Sequence, residues 1–141
     1  MLAAASAREG VRAVFEAVAA QLEQQGFVRG CPLNNLAHEL SLADPDFRIA
    51  LAGIFAGWRR AIADKLHADQ QVGKDEGTDP ERFAALTVAA YSGAMSMAKT
   101  AQDASVLRDC LAGLERSAPS PSQGALAARR RNRILPRPGT P

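Results

Sequence analysis

Ala84-Ala85-Leu86-Thr87-Val88-Ala89-Ala90-Tyr91-Ser92-Gly93-Ala94-Met95-Ser96-Met97-Ala98 is a run of fifteen residues without a charge, apolar or small on every side. Thr78-Asp79-Pro80-Glu81 opens it as a helix: Thr78 and Glu81 have capping-box spacing, and the proline falls in the first turn, where its missing donor costs nothing. A helix with no polar side must be covered all round. In a chain of 141 residues the other helices can cover one face, and much of the surface stays exposed. The remaining face is therefore expected to meet a second subunit, with Ala89, Ala90, Gly93 and Ala94 permitting close approach. The alternative is the central helix of a monomeric bundle.

The rest of the chain supports an all-α fold. There are 29 Ala and 14 Leu against 15 Val, Ile and Thr together, and Ala and Leu lose little on entering a helix. Val11, Val14, Phe15, Val18 and Leu22 line one helical face. Gly26 stops that helix in the left-handed conformation, with Phe27 folding back on it. A short second helix has Cys31 as N-cap, Pro32 in its first turn and Leu33, Leu36 and Leu40 as its apolar edge. A third begins at Asp44-Pro45 and carries Phe47, Leu51, Ile54, Phe55, Trp58 and Ile62 at helical spacing. His67 to Gly77 is polar, has two glycines and reads as a surface loop. A fifth helix starts near Asp103, shows Val106, Leu107, Cys110, Leu111 and Leu114 on one side, and ends by Ser117. About five helices in an orthogonal-to-antiparallel bundle are expected.

Charge divides the chain unequally. Residues 1–116 hold 12 Lys or Arg against 15 acids, whereas residues 117–141 hold five Arg, no acid and five of the eight prolines. A helical domain over 1–116 and a disordered Pro/Arg-rich tail over 117–141 follow, because the tail offers too little apolar surface to offset the entropy of ordering. The cluster Arg129, Arg130, Arg131 and Arg133 reads as solvated tail, with nonspecific nucleic-acid contact the sharper reading. No apolar run reaches the roughly 18 residues of a membrane span, and the start lacks a signal-peptide pattern, so a cytoplasmic location without membrane contact is expected. Two cysteines 79 positions apart suit neither a disulfide framework nor a zinc site. His38 and His67 are far apart, and no hydrolase elbow, phosphate loop or dinucleotide fingerprint occurs. No metal, no cofactor and no enzymatic activity are expected.

Gly30-Cys31-Pro32-Leu33-Asn34-Asn35-Leu36-Ala37-His38-Glu39-Leu40, with Asp44-Pro45-Asp46-Phe47-Arg48 and Phe55-Ala56-Gly57-Trp58-Arg59, resembles the sixth and seventh helices of tetracycline-repressor-like (TetR family) transcriptional regulators. Ser92 to Lys99, followed by Val106 to Leu111, resembles that family's last two helices. The likeness runs from about Gly10 to Leu114. It implies an effector-binding and dimerising core, with the last two helices of each subunit forming a four-helix bundle. Ala90, Gly93, Ala94, Met97, Cys110, Leu111 and Leu114 become the expected dimer interface. Phe55, Trp58 and Tyr91 become pocket walls, although aromatics at helical spacing are also ordinary core. Family members begin with a helix-turn-helix domain. This chain is expected to start after it, so DNA contact would come only through a domain the chain does not hold.

Cys31 is the residue most suited to chemistry. An N-cap sulfur lies near unpaired amides and the positive end of the helix dipole, which favours thiolate. The bland reading is a small buried filler. In an electrophile- and oxidant-sensing branch that the motif resembles, a cysteine matching Cys31 is the sensing thiol, and a lysine matching Lys99 lies close enough to influence or bond it. Asn34 and Asn35 are candidate polar ligand contacts or satisfy backbone groups at the helix start. Cys110 lies on an apolar stripe as packing, with a disulfide across a dimer the alternative. Three functions stay open: a regulator core, read as a repressor, that binds a small apolar or electrophilic effector; a dimerisation module that pairs with full-length relatives; or a small helical enzyme. A cavity of several hundred cubic ångströms among the first four helices separates the first from the second.

Overall fold

Proline begins three of the five helices, and short polar side chains accept backbone amides at the starts of four of the five. The computed structural model describes residues 6–117, with α1 over Ala7–Gln25, α2 over Pro32–Leu40, α3 over Pro45–Gln71, α4 over Pro80–Ala101 and α5 over Ser105–Ser117. Of the tail expected over 117–141, Ser117 ends α5 and the remainder lies outside the described residues. Ser6 Oγ accepts the Glu9 amide to cap α1, and Asp44 takes the amides of Asp46 and Phe47 for α3. Asp103 Oδ1 accepts the Ser105 amide at 2.8 Å at the start of α5. Gly26 ends α1 in the left-handed region at φ +71°. Among the described residues no helix is long and apolar enough to cross a membrane.

The helix α4 is the shared wall of the bundle, packing most extensively against α3 and α5. Phe15, Leu66 and Leu107 are the largest fully buried side chains, one each from α1, α3 and α5, and the core around them continues through Phe83, Ala94, Met95 and Ala98 of α4. The two terminal helices of the domain, α1 and α5, run antiparallel and are joined at the surface by ion pairs: Arg12 with Glu115, and Arg108 with both Glu16 and Glu23. The hydrogen bond from Arg108 holds the Glu23 carboxyl below its ordinary range.

Several local expectations are corrected. The loop read over His67 to Gly77 is shorter, because α3 continues to Gln71. Its last turn is held by tertiary bonds: buried Asp69 accepts the Ala7 amide at 2.6 Å and pairs with Lys65, and Gln70 Nε2 donates to the carbonyls of Asp75 and Thr78. The cap of α4 is Asp79, which takes the Arg82 amide, and not Thr78. Thr78 is buried and engaged with Arg8 and Asp75. On α1 Val14 is exposed and Ala19 fully buried, since a small residue lets α1 lie close to its neighbours. Phe27 stays exposed under the Arg29 guanidinium, and Val28 enters the core in its place. In α2 the buried residue is Asn34, while the leucines are half-buried.

Asp69 thus caps α1 from a distant helix. Burial pushes its carboxyl upward, but the hydrogen bonds from Lys65 and the Ala7 amide outweigh this and hold its pKa below the usual value. A depressed carboxylate adds stability above its unfolded pKa and loses it as pH falls through the folded one. Asp69→Ala is therefore expected to lower the unfolding free energy by about 2 kcal/mol at pH 7. Urea denaturation at descending pH should show the gap between the two proteins closing below pH ~4.

Candidate functional site

Four helices bring uncharged side chains together around Tyr91. The Phe15 ring meets Tyr91 edge-on, with centroids 5.6 Å apart, and the Trp58 ring meets it at 6.2 Å and 81°. Phe55 continues the series against Trp58 at 5.5 Å. Such edge-to-face contacts set the negative face of one ring against the positive edge of the next. Cys31 and Asn34, three residues apart on the start of α2, approach the same turn of α4: Asn34 Nδ2 donates to the Ser92 carbonyl at 3.0 Å, and the nearness of Cys31 adds to the burial that raises the Tyr91 phenol pKa. Phe55 and Trp58 are half-buried and form the outer edge of the cluster.

Cys31 occupies the N-cap of α2, but its sulfur takes no amide hydrogen bond there and the residue is only 6% exposed. Lys99 comes near without joining the cluster. Its stem crosses Gly30, and its Nζ donates to Asn35 Oδ1 at 3.1 Å. Asn35 in turn donates to the Arg29 carbonyl. Beside them Gln102, in the left-handed region, pairs its side-chain amide with both backbone groups of Val28, accepting at 3.1 Å and donating at 3.0 Å. The end of α4 therefore fixes the segment that delivers Cys31. Gln102 has no signal in the sequence, and Phe15 is legible there only as part of an apolar helix face. Thr87 has no signal either; it is 4% exposed and its hydroxyl has no hydrogen-bond partner among the described residues.

On its opposite side α4 has a stripe that none of the other described residues covers. Leu86 is 48% and Met97 58% exposed, Ala89 and Gly93 are exposed between them, and a Cβ at Gly93 would meet nothing within 4 Å. Ala90 and, on α5, Cys110 are half-buried and pack against the core. Three of the residues expected at a dimer contact, Ala94, Leu111 and Leu114, are turned into the core of the chain instead, because α4 and α5 use those positions to pack on each other and on α1.

Among the described residues, one shallow hollow of about 210 Å³ is lined by Ala56, Arg59, Arg60 and Glu81, and another of about 410 Å³ by Ser96, Met97, Thr100 and Ala101. Neither is lined by the aromatic cluster.

Residues 7–112 match the family described as transcriptional regulator LmrA/YxaF-like, C-terminal domain. The chain is also similar to transcriptional regulator AcuR of Cereibacter sphaeroides, 33% identical over 79 residues, which cover 55% of this chain and 36% of that protein. The matched segment is thus about a third of that relative's length. No solved structure matches the chain.

Gly30 adopts φ +80°, and an added Cβ would come to 3.0 Å from Lys99 Cδ; Gly26 is also left-handed but has open space. Gly26→Ala is expected to cost about 1 kcal/mol from backbone strain alone. Gly30→Ala should cost more, roughly 2 kcal/mol, since Lys99 must also shift. Parallel urea unfolding of the two variants measures the difference.

Proposed function

Because the chain belongs to the LmrA/YxaF-like transcriptional regulators, a branch of the tetracycline-repressor-like family matched here through its C-terminal domain, we propose that it dimerises and senses a small apolar or electrophilic effector on behalf of a repressor acting in the cytoplasm. The observation that carries this reading is the two-sidedness of α4. One side holds Tyr91 in the aromatic cluster, and the other presents Leu86, Ala89, Gly93 and Met97 as an uncharged stripe without cover. A second copy packed on that stripe would feel any displacement of α4 by a ligand among the rings.

The interface we assign consists of Leu86, Ala89, Ala90, Gly93 and Met97 with Cys110 of α5, and it would form a four-helix bundle from the α4 and α5 helices of two copies. Gly93 and Ala89 lack bulk, so two helices can approach closely there. The hollow beside Met97 would be filled by the partner. Operator contact is assigned to a helix-turn-helix outside the described residues, because none of the five helices pairs with a neighbour as a short, basic groove-reading unit.

Cys31 is proposed as the sensing thiol. Its support is the placement at the start of α2 and beside Tyr91; its burial makes reaction depend on an opening of the cluster. Lys99 would act on it indirectly, through Gly30 and Asn35. A second reading, a dimerisation module without effector, is favoured by the position of the two hollows away from the rings.

Sedimentation should report a dimer at micromolar concentration. Gly93→Arg combined with Met97→Glu should convert it to a monomer with unchanged helix content, because both positions face open space in the single chain. In that monomer Cys110 should react with maleimide several-fold faster than in the dimer, where the bundle covers it. A dimer that survives both substitutions would remove this interface.

A further inference from the structure

The interior of α4 contains one polar group that folding leaves unsatisfied. Thr87 is 4% exposed, and its Oγ1 has no hydrogen-bond partner among the described residues. Leaving a buried hydroxyl unpaired costs free energy comparable to a lost hydrogen bond, and such groups in folded proteins call for a specific explanation. Tyr91 lies four residues further along the same helix, on the same face, one turn away. Its phenol is half-buried, makes no hydrogen bond to any described residue and, unlike Thr87 Oγ1, keeps some access to solvent. Two hydroxyls without a partner among the described residues thus stand one turn apart on the side of α4 whose Tyr91 ring meets Phe15 and Trp58.

We infer that Thr87 and Tyr91 together bind the oxygen of an uncharged, flat, otherwise apolar ligand, which completes their hydrogen bonds; this rests on the proposed effector-binding function. The surrounding side chains settle the ligand's charge. Phe15, Cys31, Asn34 and Trp58 carry no formal charge, so an ionised ligand would be stripped of water with nothing to compensate it. The Tyr91 phenol is protonated through the neutral range as phenols ordinarily are, so it serves as a donor, while Thr87 can donate or accept. The rings supply edges and faces for a planar partner, and the half-buried Phe55 and Trp58 mark the side from which it enters.

Trp58 is the chain's single tryptophan, so its emission reports on this site alone. The test titrates the full chain with 4-methylphenol, toluene and 4-methylbenzoate, molecules of like shape bearing a hydroxyl, no polar group or a carboxylate. Emission is excited at ~295 nm, and heats of binding are measured in parallel. The hydroxyl compound should bind about fivefold or more tightly than toluene, the factor that one neutral hydrogen bond supplies, and the carboxylate most weakly. Thr87→Val, which keeps the shape and removes the orphaned group, should unfold at higher urea concentration and lose most of the preference for 4-methylphenol while still binding toluene. Tyr91→Phe should also reduce the preference. Equal binding of 4-methylphenol and toluene, an undiminished preference in Thr87→Val, or tightest binding of the carboxylate would overturn the hydroxyl pair and leave an effector site in place. Unchanged Trp58 emission with all three compounds would overturn the effector site as well.

Discussion

A helix with no charge between Arg82 and Lys99 has no side that water welcomes, and the bundle is organised around meeting that demand. The long helix α3 covers one flank of α4, α5 folds back over another, and α1 closes the core where Phe15, Leu66 and Leu107 meet. Small residues make this feasible, because Ala84, Ala94 and Ala98 are fully buried and let neighbouring helices approach. The described helices do not cover it completely. They leave bare the stripe through Leu86, Gly93 and Met97, which is the face the proposed second copy would cover.

Much of this order was legible in the sequence, since helix starts are written in local chemistry. Asp44-Pro45 and Gly26 act within one turn of themselves, and the structure has a cap or a stop at each. The failures arose where a distant partner decides. The polar run after His67 remains helical because Asp69 receives the first amide of α1, a bond between residues 62 positions apart. Thr78 was displaced as a cap by Asp79 because Arg8 and Asp75 claim its hydroxyl. Which of Val14 and Ala19 is buried depends on how close α1 lies to the core, and periodicity alone has no access to that distance.

The site was legible in a different way. Its aromatic members could be named from spacing, but their edge-to-face series needs the antiparallel pairing of α3 with α4, which sets Trp58 opposite Tyr91. Lys99 was sought beside Cys31 and is found across Gly30 with its charge on Asn35. Thr87 left no trace in the sequence. A threonine within an apolar helix ordinarily bonds a carbonyl one turn back, so its residue type says nothing of an unmet hydroxyl. Of the positions expected at a dimer contact, Ala94, Leu111 and Leu114 are spent inside the chain, and periodicity does not say which apolar face of α4 or α5 the core takes.

The ion pairs between α1 and α5 have a meaning that their strength conceals. Exposed pairs contribute roughly 0–1 kcal/mol each, too little to hold two helices together. Their arrangement is nonetheless directional: α1 runs from Arg12 to the acids Glu16 and Glu23, and α5 runs from Arg108 to the acid Glu115. Aligned antiparallel, each charge finds its opposite. Aligned parallel, Arg12 would approach Arg108 and Glu23 would approach Glu115, so the wrong orientation is penalised twice, by repulsion and by lost attraction. For a chain so rich in alanine, whose interchangeable small side chains grip weakly and fit many registers, this pattern of signs gives the collapsing helices a polarity to follow. These surface charges act less as fasteners than as an address.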